Sequence, residues 1–180
     1  MRKVVLYELM TLDGVAEEPG DWMFEVDDEV FDNLAAVISS QTDVLLGRGT
    51  FDYWAGYWPT SHVEPFAGFI NTVPKHVVTS TPLGLRWSGA EAVTERAEDH
   101  VASLKAGHGG DIGVHGSITL AQSLLQAGLV DELRLVIVPT IAHRGRRLFP
   151  EGPQCRRLDL VAVRPSPTGN LFVHYAARAT

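Results

Sequence analysis

Short apolar runs alternate with amphipathic helical patterns along most of this chain, and that order constrains the fold more than any other feature. Runs rich in β-formers predict strands, and apolar residues that recur every three or four positions predict helices. Strands separated by helices are typical of a parallel sheet. The predicted strands are residues 4–9, 43–46, 75–79, 111–115 and 132–139, and the predicted helices are 27–40, 65–71, 94–105 and 117–127.

The end of the chain has a different pattern. Residues 157–163 and 171–177 flank a turn signal that is rich in proline, glycine and asparagine, so they predict an antiparallel hairpin. The sequence therefore predicts an α/β fold with a mostly parallel mixed sheet and a C-terminal antiparallel hairpin. With 180 residues and no linker or repeat, we expect a single domain over residues 1–180.

Charge and cysteine content exclude several classes of protein. The chain has 15 basic and 22 acidic residues, a net charge of −7, so we expect no nucleic-acid partner. No apolar stretch approaches the ~20 residues that span a bilayer, so we expect no membrane partner and a cytoplasmic location. The single cysteine, Cys155, excludes an internal disulfide.

Two junctions between a predicted strand and a helix carry candidate binding residues. In the first, Gly47, Arg48 and Thr50 combine a close backbone approach with a guanidinium group that suits phosphate. The alternative is a tight turn with a solvated arginine. In the second, residues 116–119 (GSIT) offer backbone N–H groups at a helix start to a diphosphate, or form an ordinary capped helix.

Other candidate sites are weaker. No metal site is expected, because the seven histidines include no HExxH motif and His108, Asp111 and His115 lack a helical ligand spacing. The aromatic residues Trp54 and Trp58 have three alternative roles: packing in the core, stacking on a flat ligand, or forming a dimer interface. We expect a homodimer, because most soluble oligomers are symmetric.

Acidic residues crowd the start of the first predicted helix. Asp27 and Asp32 are either charges that complement the helix dipole or, for one of them, a carboxylate that faces a substrate ring.

Several segments resemble one known family. Residues 45–51 (LLGRGTF) resemble the second NADPH-contacting segment of dihydrofolate reductases. Residues 116–121 (GSITLA) and 124–135 (LLQAGLVDELRL) closely resemble the C-terminal reductase domain of bacterial riboflavin-biosynthesis deaminase/reductases, and residues 11–14 (TLDG) and 147–149 (RLF) fit the same family. The resemblance covers nearly the whole chain and implies a stand-alone relative without a deaminase domain.

The resemblance implies a dihydrofolate-reductase-like three-layer α/β/α sandwich that binds NADPH. It implies an oxidoreductase that transfers hydride to a small nitrogen heterocycle: a pterin, a folate or a riboflavin-pathway pyrimidine. The alternative is a non-catalytic nucleotide or small-molecule binding protein on the same fold. The catalytic carboxylate would be Asp27 or Asp32. The implied cofactor-binding residues are Gly47, Arg48 and Thr50 at the adenosine phosphates, Thr79, Ser80 and Thr81 along the adenosine half, and Gly116, Ser117, Ile118 and Thr119 at the diphosphate.

Overall fold

Eight strands form one sheet in the computed structural model, which describes residues 1–151 and 155–178. The strands are β1 Val4–Thr11, β2 Gln41–Gly47, β3 Lys75–Val78, β4 Ala90–Val93, β5 Asp111–Val114, β6 Glu132–Val138, β7 Leu158–Pro165 and β8 Leu171–Ala177. Their order across the sheet is β4-β3-β2-β5-β1-β6-β8-β7. The pairs from β4 to β6 are parallel, and β8 pairs antiparallel with both β6 and β7. The predicted fold class and hairpin are therefore confirmed.

The sequence analysis did not predict strand β4. β4 has the sequence Ala-Glu-Ala-Val, in which Val93 is the one residue with a strong strand preference and Ala and Glu are depleted in strands. Its pairing with β3 at the sheet edge, with His76 beside Glu91, supplies what local preference does not.

The helices are short. They are α1 Asp28–Ile38, α2 Arg48–Tyr57, α3 Phe66–Thr72, α4 Ala97–Ala106 and α5 Ile118–Gln126, with single 3₁₀ turns at Pro19–Asp21 and Trp58–Thr60. Among the described residues, no helix combines the length and the apolar character that crossing a membrane requires.

The sheet separates two apolar layers. On one face, Val5 and Tyr7 of β1 pack with α1, while Val44 and Leu46 of β2 pack with α2 and α3. On the other face, Leu6 of β1 belongs to a larger cluster with α4 and α5. Strand residues alternate between the faces with period two, so each buried strand serves both layers. The result is the predicted α/β/α arrangement.

The strand order creates a crevice at the centre of the sheet. β1 and β5 are neighbours, yet β1 leads to α1 on one face and β5 leads to α5 on the other. Ligands of open α/β sheets bind beyond the carboxyl ends of the strands at such a point. The fold therefore directs attention to the residues that follow β1, β2 and β5.

Candidate active site

The two glycine-containing junctions are in direct contact. The backbone N–H of Gly47, at the end of β2, donates to the carbonyl of Gly116, 3.1 Å away. A Cβ at Gly47 would lie 2.2 Å from Ser117 Oγ, so only glycine fits. Gly116 has φ +124°, and a Cβ there would lie 3.0 Å from Thr50 Oγ1. The structure thus joins four residues that the sequence placed in two separate motifs.

Two helices begin at this contact. Gly47 is the N-cap of α2 and lacks a side chain that would occupy the helix end. Ser117 is the N-cap of α5, and its hydroxyl accepts from the backbone N–H of Leu120 at 3.4 Å. The predicted residues Ile118 and Thr119 form the first turn of α5, where Ile118 packs into the core and Thr119 is exposed. Helix N-termini carry partial positive charge and unpaired N–H groups, so this edge suits an anion.

Arg48 joins a third predicted segment to the site. Its Nη1 donates to Thr81 Oγ1 at 2.7 Å and to Thr79 Oγ1 at 3.4 Å, just beyond β3, and the exposed Ser80 lies between those threonines in the chain. Its Nε donates to both carboxylate oxygens of Asp52, each at 2.8 Å. The sequence analysis missed Asp52, which offsets much of the charge that Arg48 brings to the rim.

A buried polar cluster lies on the α1–α3 face of the same strands. The ring centroids of Tyr7 and His115 are 5.9 Å apart, and His115 lies 5.3 Å from Phe66. His115 Nε2 and Gln41 Oε1 lie 2.7 Å apart and share a hydrogen bond. Burial lowers the pKa of His115 to about 3, so the imidazole is neutral at physiological pH.

Three buried donors in this region have no hydrogen-bond partner among the described residues. They are the hydroxyl of Tyr7, the side-chain amide N–H of Gln41 and the indole N–H of Trp58. Burial, followed by the charge of Glu8, raises the pKa of Tyr7, so its hydroxyl stays protonated. Because buried polar groups are nearly always satisfied, these donors favour a ligand that accepts hydrogen bonds.

An open cleft of about 520 Å³ lies beside Trp58. Trp58 contacts Phe66 edge-to-face, with ring centroids 4.9 Å apart, and Phe66 contacts His115 at a tilt. These ring contacts connect the cleft to the centre of the sheet. The cleft is lined by Pro19, Gly20, Met23, Val26, Tyr53, Trp54, Tyr57 and Trp58. The sequence analysis did not assign Tyr7 or His115 to a site. The available signal was a polar ring at a core-facing strand position.

Trp54 and Trp58 belong chiefly to the core. Both pack edge-to-face on Phe66, whereas Tyr53 and Tyr57 beside them are 73% and 46% exposed. Their aromatic patch therefore combines two of the roles that the sequence left open, core packing and one wall of a cleft. The homodimer remains a prediction.

The two predicted catalytic carboxylates lie in other settings. Asp27 caps α1, where it accepts from the backbone N–H of Val30 at 3.1 Å and from Thr168 Oγ1 at 2.6 Å. The hydrogen bond from Thr168 is the largest cause that lowers the pKa of Asp27, so the group is an anion and not a proton donor. Asp32 is exposed on the outer side of α1 with Asp28 and Ala36. These positions favour a capping role for Asp27 and a solvated charge at Asp32, which is one of the two alternatives that the sequence left open; a substrate contact by either carboxylate stays a prediction.

Removing the Asp27 side chain tests the capping role. We expect Asp27→Ala to lower Tm by about 2–4 °C, because the first turn of α1 loses its cap, and to leave nucleotide binding unchanged. Asn is an equally good cap, so Asp27→Asn should retain the wild-type Tm. Thermal melts and NADPH titrations of both variants make the comparison. A large loss of reductase activity in Asp27→Asn would restore the catalytic role.

Glu8 is a half-buried acidic residue that the sequence analysis did not assign to a site. Along β1 it shares the α4–α5 face with Val4, Leu6 and Met10, which are apolar and buried. Leu6 pairs with Val114, so Glu8 lies two residues nearer the crevice. Burial raises the pKa of Glu8 to about 8, and a hydrogen bond from the N–H of Leu9 offsets only part of the effect. The signal in the sequence was an acidic residue where the strand alternation calls for an apolar one.

Comparisons with known proteins agree with this geometry. The chain is 28% identical over 181 residues to the uncharacterized protein YyaP of Bacillus subtilis, covering 97% of this chain and 94% of that protein. A crystal structure of a protein from Shewanella sp. PV-4 assigned to riboflavin biosynthesis aligns with TM-score 0.80, 17% identity, and 98% and 99% coverage. Dihydrofolate reductase from Enterococcus faecalis, complexed with NADP(H) and RAB-propyl, aligns with TM-score 0.67, 17% identity, and 98% and 97% coverage.

The structural alignments confirm the dihydrofolate-reductase-like fold that the resemblance implied. The family described as the RibD C-terminal domain matches residues 2–172. The match includes β1 through β7 and both glycine junctions and ends two residues into β8, and it supports an oxidoreductase. The chain belongs to the RibD C-terminal domain family.

Proposed function

We propose that this protein is an NADPH-dependent reductase that transfers hydride to a small nitrogen heterocycle. The observation that carries the proposal is the contact between the starts of α2 and α5, where Gly47 lies against Ser117 and Gly116 against Thr50. A dinucleotide needs a place for its diphosphate, and two helix N-termini with closely packed glycines provide one. The family supports a reductase on this fold.

The residues at the crevice fit a nicotinamide dinucleotide. The backbone N–H groups of Ile118 and Thr119, in the first turn of α5, would hold the diphosphate. Arg48 with Thr79 and Thr81 would bind the adenosine end, where a guanidinium group favours the additional phosphate of NADPH. When bound, NADPH supplies the hydride. The chain contributes binding, orientation and the exclusion of water.

The cleft beside Trp58 fits a flat, polar substrate. Its aromatic wall offers stacking surface, and the hydroxyl of Tyr7 and the indole N–H of Trp58 are donors that lack partners. A pterin, folate or pyrimidine presents ring nitrogens and carbonyl oxygens that accept such hydrogen bonds. Tyr7, protonated at physiological pH, would orient the ring and is the side chain we assign to substrate recognition.

Replacing Tyr7 with phenylalanine tests the assignment. Because the hydroxyl has no protein partner, we expect Tyr7→Phe to leave Tm unchanged or slightly raised. Loss of one hydrogen bond to substrate should lower kcat/KM by about 10- to 100-fold. The measurement is NADPH oxidation with pterins, folates and riboflavin-pathway pyrimidines, together with thermal melts. Wild-type kcat/KM in Tyr7→Phe would contradict the role of Tyr7.

Nucleotide binding tests the function as a whole. We expect NADPH to quench tryptophan fluorescence and raise Tm at lower concentrations than NADH, and Arg48→Ala to reduce that preference. Failure of both nucleotides to bind would overturn the reductase. Binding of NADPH without oxidation by any heterocycle would favour the alternative of a non-catalytic nucleotide-binding protein.

A further inference from the structure

A second cluster of polar side chains lies away from the crevice, near the starts of β3 and β4. His76 comes from β3, Glu91 from β4 and His100 from α4. His76 and Glu91 are opposite each other in the parallel pair, and the rings of His76 and His100 have centroids 4.9 Å apart. One ligand atom from each of the three side chains lies within 4.8 Å of the other two. Neither the fold of the core nor the proposed reductase requires this convergence.

We propose that His76, Glu91 and His100 form a binding site for a divalent transition metal ion, with Zn²⁺ the best match. Each of the two imidazole rings holds its proton on the nitrogen that faces away from the cluster.

The outward nitrogen of each ring donates to a carboxylate. His76 Nε2 lies 2.9 Å from Asp43 Oδ1, and Asp43 also accepts from Arg2 and Thr42. A carboxyl group that accepts from Arg2 and Thr42 is an acceptor for His76 as well, so His76 Nε2 carries the hydrogen.

His100 repeats the arrangement. Its Nδ1 lies 2.8 Å from Glu95 Oε1, so a carboxylate again accepts from the outward nitrogen. In the neutral rings, this leaves His76 Nδ1 and His100 Nε2 as lone pairs that point inward. Imidazole ligands of metal ions are typically oriented by a carboxylate in this way.

Three acceptors then meet in one place. His76 Nδ1 lies 2.9 Å from Glu91 Oε1 and 3.0 Å from His100 Nε2. A proton on His76 Nδ1 would make His76 a cation next to the imidazole of His100, because His76 Nε2 already carries a hydrogen. That single proton would have to be shared between Glu91 and His100 to satisfy both contacts. A metal ion satisfies all three lone pairs at once. Ligands about 2.0–2.1 Å from a tetrahedral Zn²⁺ are about 3.3 Å apart, so the two separations from His76 Nδ1 need to lengthen by only a few tenths of an ångström. The ligand atoms of Glu91 and His100 lie within 4.8 Å of each other.

The donor set indicates the class of metal. Two imidazole nitrogens and one carboxylate oxygen suit Zn²⁺ and Co²⁺, whereas Mg²⁺ and Ca²⁺ prefer oxygen ligands alone. Three protein ligands leave a fourth position for water. That position opens to solvent because the side chain of Glu91 is 66% exposed, whereas His76 is buried and His100 is 16% exposed. The sequence analysis expected no metal because it found no HExxH motif and no helical ligand spacing, whereas these three ligands lie on β3, β4 and α4 and meet only in the folded chain.

The test uses the whole chain after treatment with EDTA, titrated with Zn²⁺ and with Co²⁺. We expect one metal ion per chain and, with Co²⁺, the intense visible absorption of a four-coordinate site. The variants Glu91→Gln and His100→Ala should each weaken binding at least tenfold and remove the Co²⁺ absorption, while the control His62→Ala, at an exposed histidine outside the cluster, should match the wild type.

Glu91→Gln is the more informative variant because Glu91 is exposed on an edge strand, so its loss is compatible with folding; the metal-free Tm of each variant verifies this. Glu95→Gln, which alters only the partner of His100, should weaken binding less than Glu91→Gln does. Absence of stoichiometric binding in the wild type would overturn the proposal. Unchanged affinity in both Glu91→Gln and His100→Ala would overturn it as well, because the metal would then be bound elsewhere.

Discussion

Replacing Glu8 with glutamine is expected to stabilise the protein strongly at pH 8 and above. The pKa of Glu8 is raised to about 8 in the folded state, from 4.5 when the group is solvated. Between these values the folded protein holds a proton that the unfolded chain releases, so stability falls as the pH rises from 4.5 to 8. The full pKa shift corresponds to a loss of at most about 5 kcal/mol in the free energy of unfolding.

Urea unfolding of the wild type and Glu8→Gln, measured from pH 4 to pH 9 in steps of about one pH unit, tests this effect. We expect the two free energies of unfolding to be similar near pH 4 and to diverge between pH 4.5 and 8, where Glu8 is ionised in the unfolded chain but protonated in the folded protein. The exposed Glu25 provides a control, since Glu25→Gln should follow the wild-type curve throughout. Parallel curves for the wild type and Glu8→Gln would show that Glu8 is solvated in the folded protein.

The second large effect is expected from Gly47→Ala. The added Cβ would lie 2.2 Å from Ser117 Oγ, 2.9 Å from Ser117 Cβ and 3.2 Å from Ser117 N. Rotation of the hydroxyl relieves only the first of these contacts, so the loops that follow β2 and β5 must separate. Overpacking of this kind costs about 1–3 kcal/mol of stability. Because the same contact aligns the starts of α2 and α5, we expect the Kd for NADPH to rise at least tenfold, equivalent to about 1.4 kcal/mol.

Gly49 supplies the matched control two residues away. A Cβ at Gly49 would have no atom within 4 Å, so Gly49→Ala should fold normally and bind NADPH as the wild type does. Tm and nucleotide titrations of the two variants separate a loss of packing from a loss of binding. Equal behaviour of Gly47→Ala and Gly49→Ala would show that the contact between the junctions is unnecessary.

The sequence was most informative where local pattern decides the structure. A short apolar run rich in β-formers predicted β1, alternation predicted the C-terminal hairpin, and the Ser117 cap predicted the start of α5. It could not give the contact between Gly47 and Ser117, because that contact exists only once β5 lies beside β2. A sequence pattern shows which side chains of a strand share one face of the sheet, but not which strands lie beside it.

The same reason explains why the sequence alone did not decide between roles for some residues. Asp27 has the residue type and position of both a helix cap and a catalytic acid, and its hydrogen bonds from Val30 and Thr168 favour the cap. Tyr7 and His115 are separated by more than 100 positions, yet the pairing of β1 with β5 brings their rings together. His76, Glu91 and His100 meet through β4, a strand that local propensity does not mark.

The central position of β1 also has a consequence for synthesis of the chain. Val4 pairs with Ile112 and Val5 with Glu132, so β1 has no partner until more than 100 further residues have been made. At typical translation rates of about 5–20 residues per second, this takes roughly 5–20 s. During that interval an apolar strand with two free edges is exposed on the ribosome, so chaperone binding and aggregation compete with folding of the nascent protein.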